Sequence, residues 1–215
     1  MGTPAHQWSG DFGREYTDRN ALSLDEIDAH YRELFGVSRR ELNARFLGEL
    51  PRNLRILEVG ANVGNQLLLL HEMGFVHVHG VEIQRYALER SRARSAGIPN
   101  VQGTGASLPF KDGAFDLVFT SGVLIHVPPD TLPTVLREVR RCTRTWVWGY
   151  EYFAPEPTEV AYRGRSDLLW KANFARSYVE TCTDLELVRE VRLRYKTNSN
   201  EDSMFLLHKT ATKAV

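Results

Sequence analysis

The sequence is poor in the features that would take it out of the ordinary globular class. It has two cysteines, Cys142 and Cys182, and they form neither a CxxC pair nor a metal-type spacing. That excludes a disulfide framework and a thiolate metal site, and the two read as reduced cytosolic thiols. No apolar run reaches the roughly 18 residues a membrane helix needs, and no apolar stretch follows a basic start. Neither a membrane span nor a signal peptide is therefore expected, and the location expected is cytoplasmic. Net charge is also missing: 27 Lys and Arg balance 27 Asp and Glu. A balanced chain gives no field for nucleic acid or for an anionic membrane surface. Internal repeats and low-complexity tracts are absent too.

What is present is a 215-residue chain, 42% hydrophobic and 25% charged, long enough for one domain with a sizeable core. The first 20 residues carry WSGDFGREYTDRN without helical or strand periodicity. Two short helices are predicted next. Ser23 with Glu26, and Ser38 with Glu41, make capping-box patterns, with Leu24, Ile27, Tyr31 and Leu34 at helical spacing in the first. Pro51 ends this helical preface.

From there strands and helices alternate. LRILEV (54–59), VHVHGVE (76–82), NVQG (100–103), FDLVFT (115–120) and TWVWGY (145–150) read as strands. Helices are expected around 64–73, over RYALERSRARSAG, and over 130–142, where Leu132, Val135, Leu136 and Val139 form one stripe. That rhythm predicts a mostly parallel sheet with helices on both faces. In the tail, LELVREVRLRY and SMFLLHK flank the polar turn KTNSNED, which predicts an antiparallel hairpin at the sheet edge.

The chemistry is concentrated in ILEVGANVGN (56–65), where a buried strand runs into glycines and a helix starts at once. Gly60 allows a tight turn and close approach of a ligand, and the helix start offers free amides. A dinucleotide fingerprint needs GxGxxG, but Asn62 stands at the second glycine, so NAD or FAD fits poorly. The ExGxxxG pattern instead resembles the first motif of class I S-adenosylmethionine (SAM)-dependent methyltransferases. Glu82 ends the second strand 22 residues after Gly60, placed to hold both ribose hydroxyls. GTGASLPFKDGAFDLVFTSGVLIHV (103–127) resembles the third and fourth motifs, commonly written GDAxxLPFxDxxFDLV, with Thr104 where an Asp often meets the adenine amino group.

The resemblance implies an α/β, Rossmann-like fold: a seven-stranded, mostly parallel sheet with an antiparallel C-terminal strand and a helical N-terminal cap. It implies a single domain divided into a cap (1–50), a SAM-binding core (54–150), a substrate-lid insertion (151–175) and a C-terminal helix and hairpin (176–215). The cofactor contacts it implies are Glu58, Gly60, Asn62, Gly64 and Asn65 in the first motif, Glu82 and Ile83 in the second, and Thr104, Gly105, Ala106, Ser107, Ser121 and Gly122 beyond. The N-terminal segment is expected to fold over the methionine end of SAM, with Tyr16 and Arg19 near its carboxylate.

Within that superfamily the chain resembles the pseudaminic acid biosynthesis-associated methylases through WSGDFGREYTDRN (8–20), GVLIHV (122–127) and PEPTEVAYRG (155–164). That group tends to read FKRDFAGE where this chain has WKANFARS. The stretch YRGRSDLLWKANF (162–174) is expected to roof the substrate pocket, with Tyr162, Arg163, Arg165 and Lys171 gripping an anionic group. The pairing of those cations with Glu151, Glu156 and Glu159 on the surface is the competing reading. His126 reads either as a general base or as a packed histidine holding its loop, and Tyr150 and Glu151 are further base candidates. His77 and His79 lack a third ligand, so no metal site is expected. Transfer of a methyl group to a small polar metabolite follows, with a macromolecular acceptor such as tRNA or protein as the alternative and a monomer or homodimer as the assembly.

Overall fold

The computed structural model describes residues 4–94, 97–164 and 166–210. In chain order the elements are α1 (Pro4–Ser9), α2 (Asp11–Asn20), α3 (Leu24–Phe35), α4 (Arg39–Leu47), β1 (Arg55–Val59), α5 (Asn65–Glu72), β2 (His77–Glu82), α6 (Arg85–Arg94), β3 (Asn100–Gln102) and β4 (Phe115–Ser121). A 3₁₀ turn (Leu124–His126) follows, then α7 (Leu132–Cys142), β5 (Thr143–Phe153), β6 (Thr158–Glu159), β7 (Trp170–Lys171), α8 (Phe174–Thr181), β8 (Leu185–Arg194) and β9 (Glu201–Lys209).

Seven strands form one sheet in the order β3-β2-β1-β4-β5-β9-β8. The first five run parallel, and β9 enters antiparallel between β5 and β8. This is the Rossmann-like class I methyltransferase arrangement. The strand order reverses at β1, so the carboxyl ends of β1 and β4 open a crevice for a ligand.

Both capping boxes form. The Ser23 and Ser38 hydroxyls accept from the Glu26 and Glu41 amides, and each glutamate side chain accepts from the serine amide. Two cores sandwich the sheet, and β9 supplies both by strand alternation: Phe205 and Leu207 on one side, Met204 and Leu206 on the other. Val135, Leu136 and Val139 of α7 are buried in the first core, as the stripe predicted; Leu42, Phe46 and Leu47 of α4 help build the second.

The N-terminal segment departs from its aperiodic appearance, because it folds into α1 and α2. These helices are fastened by polar contacts and by the Trp8, Phe12 and Tyr16 rings, four residues apart, which pack on one another and on His126 and Tyr162. Tyr86 and Arg90 of α6 reach Asp18 of α2 at 2.7 and 2.9 Å, so two residues of α6 anchor the cap. The polar turn before the last strand is also shorter than it reads, since β9 begins at Glu201 and takes Asp202 into the sheet opposite Tyr152.

Gly149 of β5 lies opposite Phe205, and a Cβ there would stand 2.1 Å from the Phe205 ring. Gly149→Ala is expected to destabilise the protein by about 1–3 kcal/mol through overpacking, measurable as a lower urea midpoint at unchanged slope.

Candidate active site

A cavity of about 490 Å³ opens at the carboxyl ends of β1, β2, β4 and β5, roofed by α1, α2 and α3. That volume lies in the usual range for clefts that enclose a small ligand.

One end of the cavity is local in sequence. Gly60 has φ 76°, and a Cβ on it would meet Val123 at 2.5 Å, so this turn excludes a side chain on both counts. Gly64 has φ 81° and caps α5 without itself lining the cavity. The buried Glu82 carboxylate accepts one backbone N–H on each oxygen, from Asn62 and Gln84, both at 2.8 Å. Each oxygen keeps capacity for a further donor, the arrangement a vicinal diol requires. Ile83, Gly105, Ala106 and Thr104 continue this wall. The Thr104 hydroxyl accepts from the Ala106 amide at 3.3 Å, and Ser107 closes the same turn outside the cavity.

The cap closes over this end. Thr17 Oγ1 accepts from Asn62, the Asn20 carbonyl from Asn65, and the Trp8 and Gly10 carbonyls from Gln84, at 2.8–3.1 Å. Trp8 and Tyr16 line the cavity, while Arg19 points toward Glu15 at its outer surface. Asn20 ends the WSGDFGREYTDRN motif, whereas nothing in the sequence signalled Gln84, whose role arises from helix-to-loop docking.

Between the two ends lies His126, with Trp8, Tyr16 and Tyr162 rings 4.3, 6.4 and 5.6 Å from its own. Its Nδ1 sits 2.8 Å from the Leu168 carbonyl. A carbonyl only accepts, so Nδ1 carries the proton and Nε2 is left as the ring's acceptor. Burial pulls its pKa down to about 4, against the weaker pull of the Leu168 bond. Glu151 lies beneath this loop, outside the cavity and fully buried, accepting from the Val123 and Ile125 amides at 3.3 and 3.4 Å. Burial raises its pKa to about 7.

The other end is built from residues far apart in the chain. Ser121 and Gly122 lie at its near side. Arg39, at the first position of α4 and only 2% exposed, donates to Tyr31 Oη at 2.7 Å and Ser121 Oγ at 3.1 Å. Its guanidinium lies 4.2 Å from the Tyr150 ring centre. Its neighbour Arg40 points the other way, into ion pairs with Asp25, Asp28 and Glu72. Tyr150 donates to Asp202 Oδ2, which also receives Tyr195 at 3.3 Å. Burial lifts Asp202 to about 6 and holds Tyr150 well above its ordinary value, so Tyr150 is a donor here. Arg39 and Asp202 were missed from sequence: one hides in a capping box, the other in an apparent turn.

The lid segment is divided. Tyr162 and Leu169 line the cavity, whereas Arg163 is exposed beside the Tyr162 ring. Lys171 lies in a smaller hollow with Tyr152, Tyr195 and Asp202, its Nζ 2.5 Å from Asn200 Oδ1. Arg165 lies outside the described residues. Among the described residues there is no cluster of His, Cys, Asp or Glu able to hold a metal. None of their helices is long and apolar enough to cross a membrane.

The family model described as "Methyltransferase domain" matches residues 57–146. Residues 57–146 therefore resemble a methyltransferase domain, on a class I methyltransferase fold. Botryococcene C-methyltransferase of Botryococcus braunii is 26% identical over 74% of this chain and 43% of its own length. 24-methylenesterol C-methyltransferase 2 of Oryza sativa subsp. japonica is 31% identical over 49% of this chain and 32% of its own. The chain thus spans under half the length of these curated relatives. Among solved structures, 1,6-didemethyltoxoflavin-N1-methyltransferase of Burkholderia thailandensis, with its substrate and S-adenosylhomocysteine bound, shares the fold. Its TM-score is 0.70 at 17% identity, over 98% of this chain and 92% of that one.

The methyltransferase cavity fits SAM. Glu82 suits the ribose hydroxyls, and the bare Gly60 backbone allows close approach. The Glu58 carboxylate, on the lining, is buried with Oε2 unpartnered, an acceptor suited to the ammonium of the methionine end. Glu82→Gln is expected to weaken S-adenosylhomocysteine binding about 10- to 100-fold by calorimetry, the range of a lost charge-assisted bond. His126 gives a pH signature. Its folded pKa lies below the unfolded value, so the unfolded state binds more protons and stability falls as pH drops from about 6.5 toward about 4. Relative to His126→Gln, the wild type should lose about 2 kcal/mol more unfolding free energy between pH 7.5 and pH 5.

Proposed function

We propose that this protein transfers the methyl group of SAM to an oxygen or nitrogen atom of a small, anionic metabolite. When bound, SAM supplies a methyl group already activated on a sulfonium, so the protein's main task is placement. Glu82, Glu58 and the Gly60 turn hold the cofactor from β2 to β4. Asn62, Asn65 and Gln84 are pinned by the cap, which fixes the loop that cradles it. The acceptor occupies the end beyond Ser121, under Tyr162 and Leu169.

The observation that carries the anionic reading is Arg39. It lines the cavity almost fully buried, and no carboxylate pairs with it at ion-pair distance among the described residues. Its Nε has no partner. The buried Glu58 and Asp202 carboxylates ease its charge without hydrogen-bonding it, and its free N–H stays open to an incoming anion. In this reading the anion-gripping role expected of Arg163 passes to Arg39, and Tyr162 remains a wall of the acceptor pocket. The resemblance to the pseudaminic acid-associated group leads us to include sugar acids among the acceptors. His126 Nε2 is a proton acceptor available to a hydroxyl or amine nucleophile, and a carboxylate nucleophile needs none.

The test is labelled-methyl transfer from SAM into a fractionated metabolite extract. Label is expected in small molecules retained by an anion exchanger. Arg39→Ala and Arg39→Lys should leave S-adenosylhomocysteine affinity within about threefold while raising the acceptor KM about 10- to 100-fold. Label confined to protein or RNA would overturn the small-molecule reading, and label in uncharged compounds the anionic one.

A further inference from the structure

Asp202 is a second buried ionisable group on the cavity wall that the transfer itself does not use. It is 1% exposed, and it lines both the main cavity and the adjoining hollow that contains Lys171. Its Oδ2 is saturated by Tyr150 and Tyr195, while Oδ1 is buried without a partner. A buried carboxylate oxygen without a protein partner is an acceptor available to a donor that arrives with a ligand.

The cofactor does not reach it. Glu82 stands on β2 and Asp202 on β9, with β1, β4 and β5 between them. Four inter-strand steps of ~4.8 Å separate them by roughly 19 Å. A methionine tail only a few bonds long, leaving the ribose at Glu82, ends short of that. Glu58 on β1, with its own unpartnered oxygen, lies where the tail's ammonium falls. Asp202 therefore faces the acceptor. Arg39 faces the same space, since its guanidinium lies over the Tyr150 ring whose hydroxyl holds Asp202. A cation with a free N–H and a carboxylate with a free oxygen thus flank one aromatic ring, with Tyr31, Tyr152 and Tyr195 completing the wall.

Resting on the small-molecule reading above, we propose that Arg39 and Asp202 are the two ends of one recognition element. It selects an acceptor that carries an anionic group and, a few bonds away, a hydroxyl or amine donor. Arg39 takes the anion and Asp202 Oδ1 the donor, with Tyr150 and Tyr195 fixing the carboxylate's orientation. Asp202 acts in specificity, and no proton needs to move through it.

The experiment uses the full chain, S-adenosylhomocysteine calorimetry and labelled-methyl transfer into the small-molecule fraction of a metabolite extract titrated from low to high concentration. For Asp202→Asn we expect cofactor affinity within about twofold, a transfer rate at least about tenfold lower at limiting extract, and recovery at high extract. Tyr195→Phe keeps the charge and removes one orienting donor. It should raise the acceptor KM about threefold at unchanged kcat, and it decides the matter if Asp202→Asn does not fold. The labelled product should bind an anion exchanger and react with a hydroxyl- or amine-specific reagent, the two reagents separating hydroxy acids from amino acids. Transfer by Asp202→Asn or Tyr195→Phe equal to the wild type at all extract concentrations would overturn the inference and leave the methyltransferase reading standing. So would losses matched by lost cofactor affinity, or a labelled product without a hydroxyl or amine. A wild type that binds S-adenosylhomocysteine yet labels no small molecule would overturn the underlying reading, and this inference with it.

Discussion

Strand β9 pairs antiparallel with β5 from Trp146 and His208 at one end to Phe153 and Glu201 at the other, and much of the molecule depends on that pairing. Its alternating side chains feed both cores. Without it the parallel half would present a long unpaired edge at β5, which is both unstable and prone to association. The same register sets Asp202 beside Tyr152 and delivers its carboxylate to the Tyr150 hydroxyl. The pairing that completes the sheet thus also completes the far wall of the cavity. Gly149 permits it by giving the Phe205 ring room to lie across β5.

The cavity concentrates ionisable groups that an apolar interior would normally reject. Glu58, Glu82 and Asp202 are all held above the ordinary carboxylate range by burial, with backbone amides or tyrosine hydroxyls as partial relief. Arg39 is their counterpart: hydroxyls and rings hold it, and its charge steadies Glu58 and Asp202 in turn. Such an arrangement is unfavourable for folding and useful for binding, because a ligand with matching charges meets partners already stripped of water. Glu151 is different. Its raised pKa comes from the same cause, but its oxygens serve the loop that holds His126, and it lies outside the cavity.

The end of the cavity around Gly60 and Glu82 was legible in the sequence because its requirements are local. A tight turn needs glycine at Gly60, a diol needs a carboxylate at a strand end, and both fall within short, ordered motifs. Helix caps at Ser23 and Ser38 and the stripe on α7 were legible for the same reason. The end around Arg39 and Asp202 was not. Arg39 looks like any arginine in the first turn of a helix, and only tertiary packing turns it inward while Arg40 turns outward. Asp202 sits beside asparagines and a serine that announce a turn, and only the register of β9 shows it to be a strand residue. The loop arginine Arg163 had the right chemistry and the wrong direction, because spacing along an irregular segment does not fix where a side chain points. The cap helices α1 and α2 escaped notice because their aromatics, Trp8, Phe12 and Tyr16, straddle a break at Gly10 among polar residues that bond to the core.

The hairpin turn between β8 and β9 docks on α3, where the Lys196 amide and ammonium donate to the Leu34 and Arg32 carbonyls and Phe35 meets the Tyr195 ring at 4.8 Å. That small clasp ties the last strand pair to a helix from the opposite end of the chain. One end of the cavity is lined by motifs between residues 58 and 122, the other by residues 31, 39, 150, 195 and 202. The two ends can therefore diverge independently. A change of length or composition in one surface turn would re-aim Tyr195 and Asp202 without disturbing the Gly60 and Glu82 end, giving the fold a simple route to reshape one half of its cavity alone.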